Sequence, residues 1–148
     1  MYGQDRRQMR EIFFRAWLHH REQQPLSGVE SLVVAVALRH PEYHDLLQDP
    51  ATSEDRDWSV ETGQTNPFLH LGMHIAIEEQ LAIDQPGGVR ACYQALLKQG
   101  LDEHATQHRM MDCMGEMLWQ AGRLSSAPDP GIYLNCLAQL CDTRAFNR

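Results

Sequence analysis

The sequence predicts an all-α protein of about six helices around a helical bundle, folded as a single domain over residues 1–148. Apolar residues recur every three or four positions along most of the chain, which is the helical period. Capping residues, glycine and proline separate these segments, as they do at helix ends. The length of 148 residues and the hydrophobic content of 43% suffice for one core and exclude a disordered composition.

The first predicted helix runs from Gln4 to about Glu22. Its apolar face consists of residues at helical spacing, namely Met9, Ile12, Phe13, Ala16, Trp17 and His20. The other face is expected to be basic and solvated, and it carries Arg6, Arg7, Arg10 and Arg21. In an acidic protein these arginines indicate an exposed surface and not a nucleic-acid site.

The second predicted helix, residues 29–38, is nearly all apolar and is therefore expected in the core. Before it, Ser27 and Glu30 have the spacing of a capping box. The segment HPEYH follows the helix, and its proline either kinks the helix or starts a new turn. If the helix resumes, His40 and His44 lie one turn apart.

The polar segment at residues 48–65 is interpreted as a long surface loop anchored by Trp58. The third predicted helix, residues 66–84, has Asn66 as its N-cap and Pro67 at its first position. The remaining apolar patterns predict three more helices, at about residues 89–97, 102–122 and 132–140.

Charge and cysteine content narrow the classes of function. A formal net charge of −7 and a pI of about 5.5 argue against binding to nucleic acid or to an anionic membrane. No segment reaches the length of a transmembrane helix, and the N-terminus has no apolar signal core, so we expect a cytoplasmic protein. Its four cysteines form no CxxC pair and are expected to be reduced thiols, with Cys113 packed in the core. A homo-oligomer and a protein partner of unknown identity stay open.

The eight histidines are the unusual feature of the composition. His70, His74 and Glu78 are spaced four residues apart, so they share one stripe of the third helix. Apolar residues occupy the same stripe, so these polar side chains are expected to be buried. A buried polar group without a partner costs about 1–3 kcal/mol. A bound metal ion would supply the missing interactions.

A second stripe, on the helix at residues 102–122, carries His104 and His108, with Asp112 and Glu116 as less certain ligands. His40 and His44 are further candidates for the same site. Ligands from facing helices are typical of metal sites in bundles. Imidazole and carboxylate ligands without thiolate suit a divalent ion, iron or zinc first. Oxygen chemistry, redox chemistry or metal-assisted hydrolysis would follow, although the sequence leaves open whether the protein is an enzyme.

The alternative interpretation is a non-enzymatic interaction module in which the histidines are structural. In this case the imidazoles and Glu78 hydrogen-bond to one another in the core. The acidic segment at residues 54–57 would then belong to a protein-binding surface.

Three segments, HPEYH, NPFLHLGMHIAIEEQ and DEHATQHRMMDCMGEMLWQAG, resemble the signature segments of an uncharacterised bacterial family, a domain of unknown function. The resemblance covers most of the chain between His40 and Leu140. It implies a small cytoplasmic bacterial protein and supplies no activity.

The spacing of His74 to Glu78 and of His104 to His108 also resembles the ligand pairs of hemerythrin-type four-helix bundles. That resemblance implies a non-haem di-iron centre. An additional helical segment separates the two pairs in this sequence. The other ligands would come from His40 or His44 upstream, and from Asp112 or Glu116 in place of a missing downstream histidine and aspartate.

Overall fold

The computed structural model describes residues 2–58 and 66–141, with side chains from residue 7 onward. Over these ranges the secondary structure is entirely helical, which confirms the predicted all-α class. The described residues contain eight α-helices and one 3₁₀ turn, at Pro41–Tyr43. The α-helices are α1 (Tyr2–Arg21), α2 (Gly28–Leu38), α3 (His44–Gln48), α4 (Pro50–Ser53), α5 (Pro67–Ile83), α6 (Val89–Lys98), α7 (Glu103–Leu124) and α8 (Pro130–Cys141).

The prediction of about six helices is wrong because two short helices replace part of the predicted kink and loop. After the 3₁₀ turn, the chain resumes an α-helical path as α3, and α4 then begins at Pro50. Proline fits the first helical position because its missing N–H would have no partner there. Residues 54–58 of the predicted loop are non-helical, and residues 59–65 lie outside the described residues.

The chain divides into two compact units, residues 1–75 and residues 76–148, and the boundary falls inside α5. The single-domain organisation expected from the sequence stays a prediction. Within residues 2–58 and 66–141, no helix combines the length and the apolar character needed to cross a membrane.

In the first unit, α2 is the predicted core helix, and its capping box is confirmed. The Ser27 hydroxyl accepts from the Glu30 backbone N–H at 3.2 Å, and the Glu30 carboxylate accepts from the Ser27 N–H at 3.0 Å. The apolar side of α2 packs into a buried cluster with residues of α1, α3 and α5. This cluster contains Phe14, Trp17, Val36, Ala37, Leu47, Phe68 and Leu71.

The buried face of α1 differs from the predicted one. Met9, expected in the core, is 69% exposed, whereas Arg10, expected on the solvated face, is 3% exposed. The Arg10 guanidinium donates to the backbone carbonyls of residues 53, 54 and 56 and lies 4.6 Å from the centre of the Phe68 ring. Periodicity predicted an exposed arginine because the local residue pattern contains no information about carbonyl acceptors more than 40 residues away in sequence.

The start of α5 follows the prediction. The Asn66 side-chain oxygen accepts from the backbone N–H groups of Phe68 at 2.9 Å and Leu69 at 3.3 Å. These bonds satisfy donors that have no partner within the helix. Further along α5, Leu71, His74 and Ile77 are fully buried, so His74 does lie on the buried stripe.

The second unit consists of the last part of α5 together with α6, α7 and α8. The Asp102 carboxylate caps α7 as predicted, accepting from the Ala105 N–H at 2.7 Å. The Tyr133 hydroxyl of α8 donates to Gln80 Oε1 of α5 at 2.6 Å. Burial raises the pKa of Tyr133 to about 12, so this hydroxyl stays a hydrogen-bond donor throughout the neutral range.

Two disulfides link α8 to the other helices of the second unit: Cys92–Cys141 joins it to α6, and Cys113–Cys136 joins it to α7. The expectation of reduced thiols is therefore wrong, whereas Cys113 is fully buried, as predicted. The partners are 49 and 23 residues apart, and such spacings do not reveal which helices are adjacent in space.

Reduction of the disulfides is expected to destabilise the second unit. A disulfide that closes a loop of tens of residues typically contributes about 2–4 kcal/mol to the free energy of unfolding. Urea denaturation followed by circular dichroism, with and without a phosphine reductant, measures this contribution. A variant with all four cysteines changed to serine is the control, and its unfolding midpoint should be the same with and without reductant. Four titratable thiols in the native protein, with a midpoint indifferent to reductant, would contradict the assignment.

The capping box predicts a pH dependence of stability. The Ser27 N–H, and also the His19 ring at 2.6 Å, stabilise the charged carboxylate and lower the pKa of Glu30 from its ordinary value of 4.5. A lowered folded-state pKa contributes stability at neutral pH that is lost as pH falls through that value. Glu30→Gln should therefore lower the unfolding midpoint at pH 7, and the deficit should shrink near pH 3.

The exposed Glu11 on α1 supplies the matched control for this experiment. Glu11→Gln removes the same charge without touching a helix cap, so its midpoint should stay close to wild type at both pH values. A deficit of Glu30→Gln that is equal at pH 7 and pH 3 would show that the carboxylate charge contributes nothing.

Candidate metal centre

Three imidazoles of the first unit, His40, His70 and His74, are in mutual contact. The His40 ring centroid lies 4.9 Å from that of His70 and 4.8 Å from that of His74, and the His70 and His74 centroids are 4.9 Å apart. His40 is 2% exposed and His74 is fully buried. His70 and His74 meet because they are one turn apart on α5, whereas His40 is supplied by the segment between α2 and the 3₁₀ turn.

Hydrogen bonding defines which nitrogen of His40 can bind a ligand. His40 Nδ1 lies 2.9 Å from the Val36 carbonyl oxygen, which can only accept, so Nδ1 carries the proton. In the neutral ring, Nε2 therefore keeps its lone pair. Nε2 lies 3.1 Å from His70 Nε2. This geometry presents the lone pair of His40 toward the other imidazoles of the unit.

The second unit supplies another imidazole pair, His104 and His108, one turn apart on α7. Their ring centroids are 4.2 Å apart, and both rings are half-buried. Between them, Gln107 is 1% exposed and donates from Nε2 to Glu78 Oε1 at 2.8 Å. Glu78 is half-buried near the end of α5.

Within the first unit, His40, His70 and His74 form a group that could hold a metal ion. Each offers a ring nitrogen, and the three rings are in mutual contact. Imidazole nitrogen is a ligand of zinc, iron, copper and nickel. This donor set therefore suits a divalent transition-metal ion.

The other predicted ligands lie in varied surroundings. In the second unit, Glu78 accepts a hydrogen bond from Gln107, and His104 and His108 contact each other. His44 instead donates from Nε2 to the Ala37 carbonyl at 2.7 Å and lies against Trp17, with ring centroids 4.4 Å apart. The assignment of these residues as metal ligands stays a prediction.

Two carboxylates predicted as less certain ligands, Asp112 and Glu116, lie on the exposed side of α7. Glu116 accepts a hydrogen bond from Gln120 at 3.0 Å. Both side chains are accessible to water, which stabilises their charge without a metal ion. Their role as ligands also stays a prediction.

Sequence reasoning did not identify two residues, Gln107 and Tyr43, that contact predicted ligands. Gln107 carried a usable signal, since it follows His104 by three positions and therefore lies on the same side of α7. Tyr43 stacks on His40 with a centroid distance of 5.5 Å and an interplanar angle of 6°. Burial raises the pKa of Tyr43. A tyrosine three residues after a histidine gave no comparable signal, because Pro41 interrupts the helix between them.

Comparison with protein families gives a match over most of the chain. A family model described as a domain of unknown function (DUF1841) matches residues 5–139. No curated protein matches the chain, and no solved structure matches it.

Proposed function

We propose that this chain, which belongs to the DUF1841 family, binds a divalent transition-metal ion, zinc or iron, through His40, His70 and His74. The observation that carries the proposal is the mutual contact of these three imidazoles, of which His40 and His74 are buried. A short histidine pair on one helix is a weak signal of metal binding. A third histidine from another chain segment makes the signal stronger.

The donor chemistry supports a transition metal. Calcium and magnesium prefer oxygen ligands, whereas imidazole suits zinc, iron, copper and nickel. Three histidines would leave one position of a tetrahedral zinc ion open, as in catalytic zinc sites. On iron, which accepts more than four ligands, more positions would be open. A bound ion would supply Lewis acidity, and iron would add redox chemistry.

The hydrogen bond between His40 and the Val36 carbonyl also supports the proposal. Metal-binding histidines commonly donate their other ring N–H to a carbonyl or carboxylate, which fixes the orientation of the ring. His40 has this arrangement at 2.9 Å, in a residue that is almost fully buried. The ring is therefore oriented in advance, so little conformational entropy is lost when an ion binds.

The alternative of an interaction module with structural histidines has less support. The binding surface predicted for such a module includes the acidic segment at residues 54–57. Within that segment, Asp55 is already engaged by the Arg7 guanidinium. The Arg10 side chain holds the backbone carbonyls of Glu54 and Arg56. These interactions anchor the segment to α1.

The cytoplasmic location expected from the sequence stays a prediction, and the two disulfides argue against it. Glutathione and thioredoxin keep cytoplasmic thiols reduced. Alkylation in intact cells followed by mass spectrometry distinguishes the two conditions. Four alkylated cysteines would support the cytoplasm, and disulfide-linked peptides would support an oxidising compartment.

Protein purified without a tag is expected to contain one metal ion per chain. An ion at a thousandfold excess over its dissociation constant stabilises the folded state by about 4 kcal/mol. A chelator should therefore lower the melting temperature at neutral pH. Near pH 5 the chelator effect should shrink, because imidazole ligates only in its neutral form. Elemental analysis and thermal melting with and without chelator measure both results.

His74→Ala is expected to abolish the bound metal and the chelator sensitivity, since His74 is fully buried and contacts both other imidazoles of the group. His20→Ala is the matched control, because His20 lies outside the group and contacts Trp17. It should retain both properties. Wild-type protein that contains no metal, takes up none on addition of zinc or ferrous ion, and melts identically with chelator would overturn the proposal.

A further inference from the structure

We infer that the Cys92–Cys141 disulfide of the second unit is a site of thiol–disulfide exchange, which takes the cysteine thiol of an apolar peptide segment. The inference goes beyond the proposed metal centre and is independent of it, because it concerns residues of the second unit alone.

The disulfide forms part of the wall of a cavity of about 320 Å³ between the start of α6 and the end of α8. The other residues that line this cavity are glycine, alanine, valine and leucine, with Leu134 and Leu137 among them. Sites for small ligands have volumes of about 300–1,000 Å³ and mostly apolar walls. The cavity therefore suits a compact apolar group beside the incoming thiol, and its lining offers no charge to pair with an ionised one.

The two cysteines of this disulfide are not equally accessible. Cys92 is 8% exposed, whereas Cys141, the last residue of α8, is half-buried. Exchange begins when a thiolate attacks one sulfur of a disulfide, and access decides which sulfur is attacked. We therefore assign Cys141 Sγ as the sulfur that is attacked and Cys92 Sγ as the sulfur that leaves.

The position of Cys92 favours its departure as a thiolate. Cys92 is in the first turn of α6, whose N-cap is Gly88. The partial positive charge of a helix N-terminus stabilises a thiolate. In the other disulfide, Cys113 is fully buried in the middle of α7, where no helix end offsets the cost of burying a charge. Exchange is therefore expected at Cys92–Cys141 and not at Cys113–Cys136.

The exchange consists of two balanced steps. A peptide thiolate attacks Cys141 Sγ, a new S–S bond forms there, and the electron pair of the broken bond leaves with Cys92 Sγ. A second peptide thiolate then attacks the peptide sulfur of this mixed disulfide and releases the Cys141 thiolate. Two peptide thiols are thereby oxidised to one disulfide, and the protein disulfide is reduced to two thiols. The protons lost by the peptide thiols pass through water to the two cysteine thiolates.

The second unit keeps its hold on α8 while this exchange takes place. Cys113–Cys136 joins α8 to α7, and the Tyr133 hydroxyl of α8 donates a hydrogen bond to α5. Opening of Cys92–Cys141 removes only the covalent link between α8 and α6. The reduced form therefore keeps α8 in place, which a reversible exchange requires.

Reaction with two matched peptides tests the inference. Leu-Cys-Leu with blocked ends is apolar, and Ser-Cys-Ser with the same blocked ends has the same charge and polar side chains. Each is incubated with the full chain, the reaction is quenched with an alkylating reagent, and mass spectrometry identifies the state of every cysteine. The rate of each peptide with a small model disulfide corrects for differences in intrinsic reactivity.

We expect the apolar peptide to open Cys92–Cys141 about tenfold faster than the polar one after this correction, because partial burial of a leucine side chain is enough for such a difference. The trapped intermediate should carry the peptide on Cys141 and the alkyl group on Cys92. Cys113–Cys136 should still be closed when Cys92–Cys141 has opened.

Two variants test the role of the cavity. Ala138→Phe fills the cavity from an exposed position of its wall, so it should remove the preference for the apolar peptide. Gln139→Phe is the matched control, because it adds the same side chain to the neighbouring exposed position of α8, which does not line the cavity. It should retain the preference.

Several results would overturn the inference. Equal corrected rates for the two peptides on wild type would show that the cavity does not bind an apolar segment, and this comparison stays valid if Ala138→Phe fails to fold. Earlier opening of Cys113–Cys136 would place the exchange at the other disulfide. A peptide trapped on Cys92 would reverse the assignment of the two sulfurs. Four free thiols in untreated protein would remove the disulfide itself.

Discussion

A buried imidazole has two ring nitrogens that each need a partner, and α5 places such a ring, His74, between Leu71 and Ile77 on its apolar stripe. The helix satisfies its own backbone groups, so only the side chain remains to be accounted for. Leaving one of its polar atoms unsatisfied would cost about 1–3 kcal/mol. The surroundings of His74 follow from this requirement. His40 and His70 contact it, and the Val36 carbonyl fixes the proton of His40 on the far nitrogen.

Local features of the fold could be predicted from the sequence because their causes lie within a few residues. The caps at Ser27, Asn66 and Asp102 all depend on a side chain that bonds to a backbone N–H two or three residues later. Features that depend on distant partners could not be predicted. Arg10 is buried because carbonyls of a segment more than 40 residues away accept its hydrogen bonds. The disulfides likewise depend on which helices are adjacent.

The candidate site shows the same division. Spacing of four residues on a helix predicts that His104 and His108 contact each other, and the structure confirms this. Spacing could not separate His40 from His44, since both belong to HPEYH. The interruption at Pro41 decides between them, because His40 lies between α2 and the 3₁₀ turn, whereas His44 begins α3 and donates a hydrogen bond to the Ala37 carbonyl. The contact of His40 with His70 and His74 of α5 is a tertiary property.

The anchoring of residues 53–56 by Arg10 has a consequence for how this segment can diverge. Arg10 contacts the main chain of the segment, and every amino acid, proline included, offers the same carbonyl oxygen. The segment can therefore exchange its charged side chains without losing the anchor. Position 10 has no such freedom, since a lysine lacks the planar fork that bonds several carbonyls while lying against an aromatic ring. We therefore expect related chains to keep this arginine while the sequence of the segment that it anchors varies.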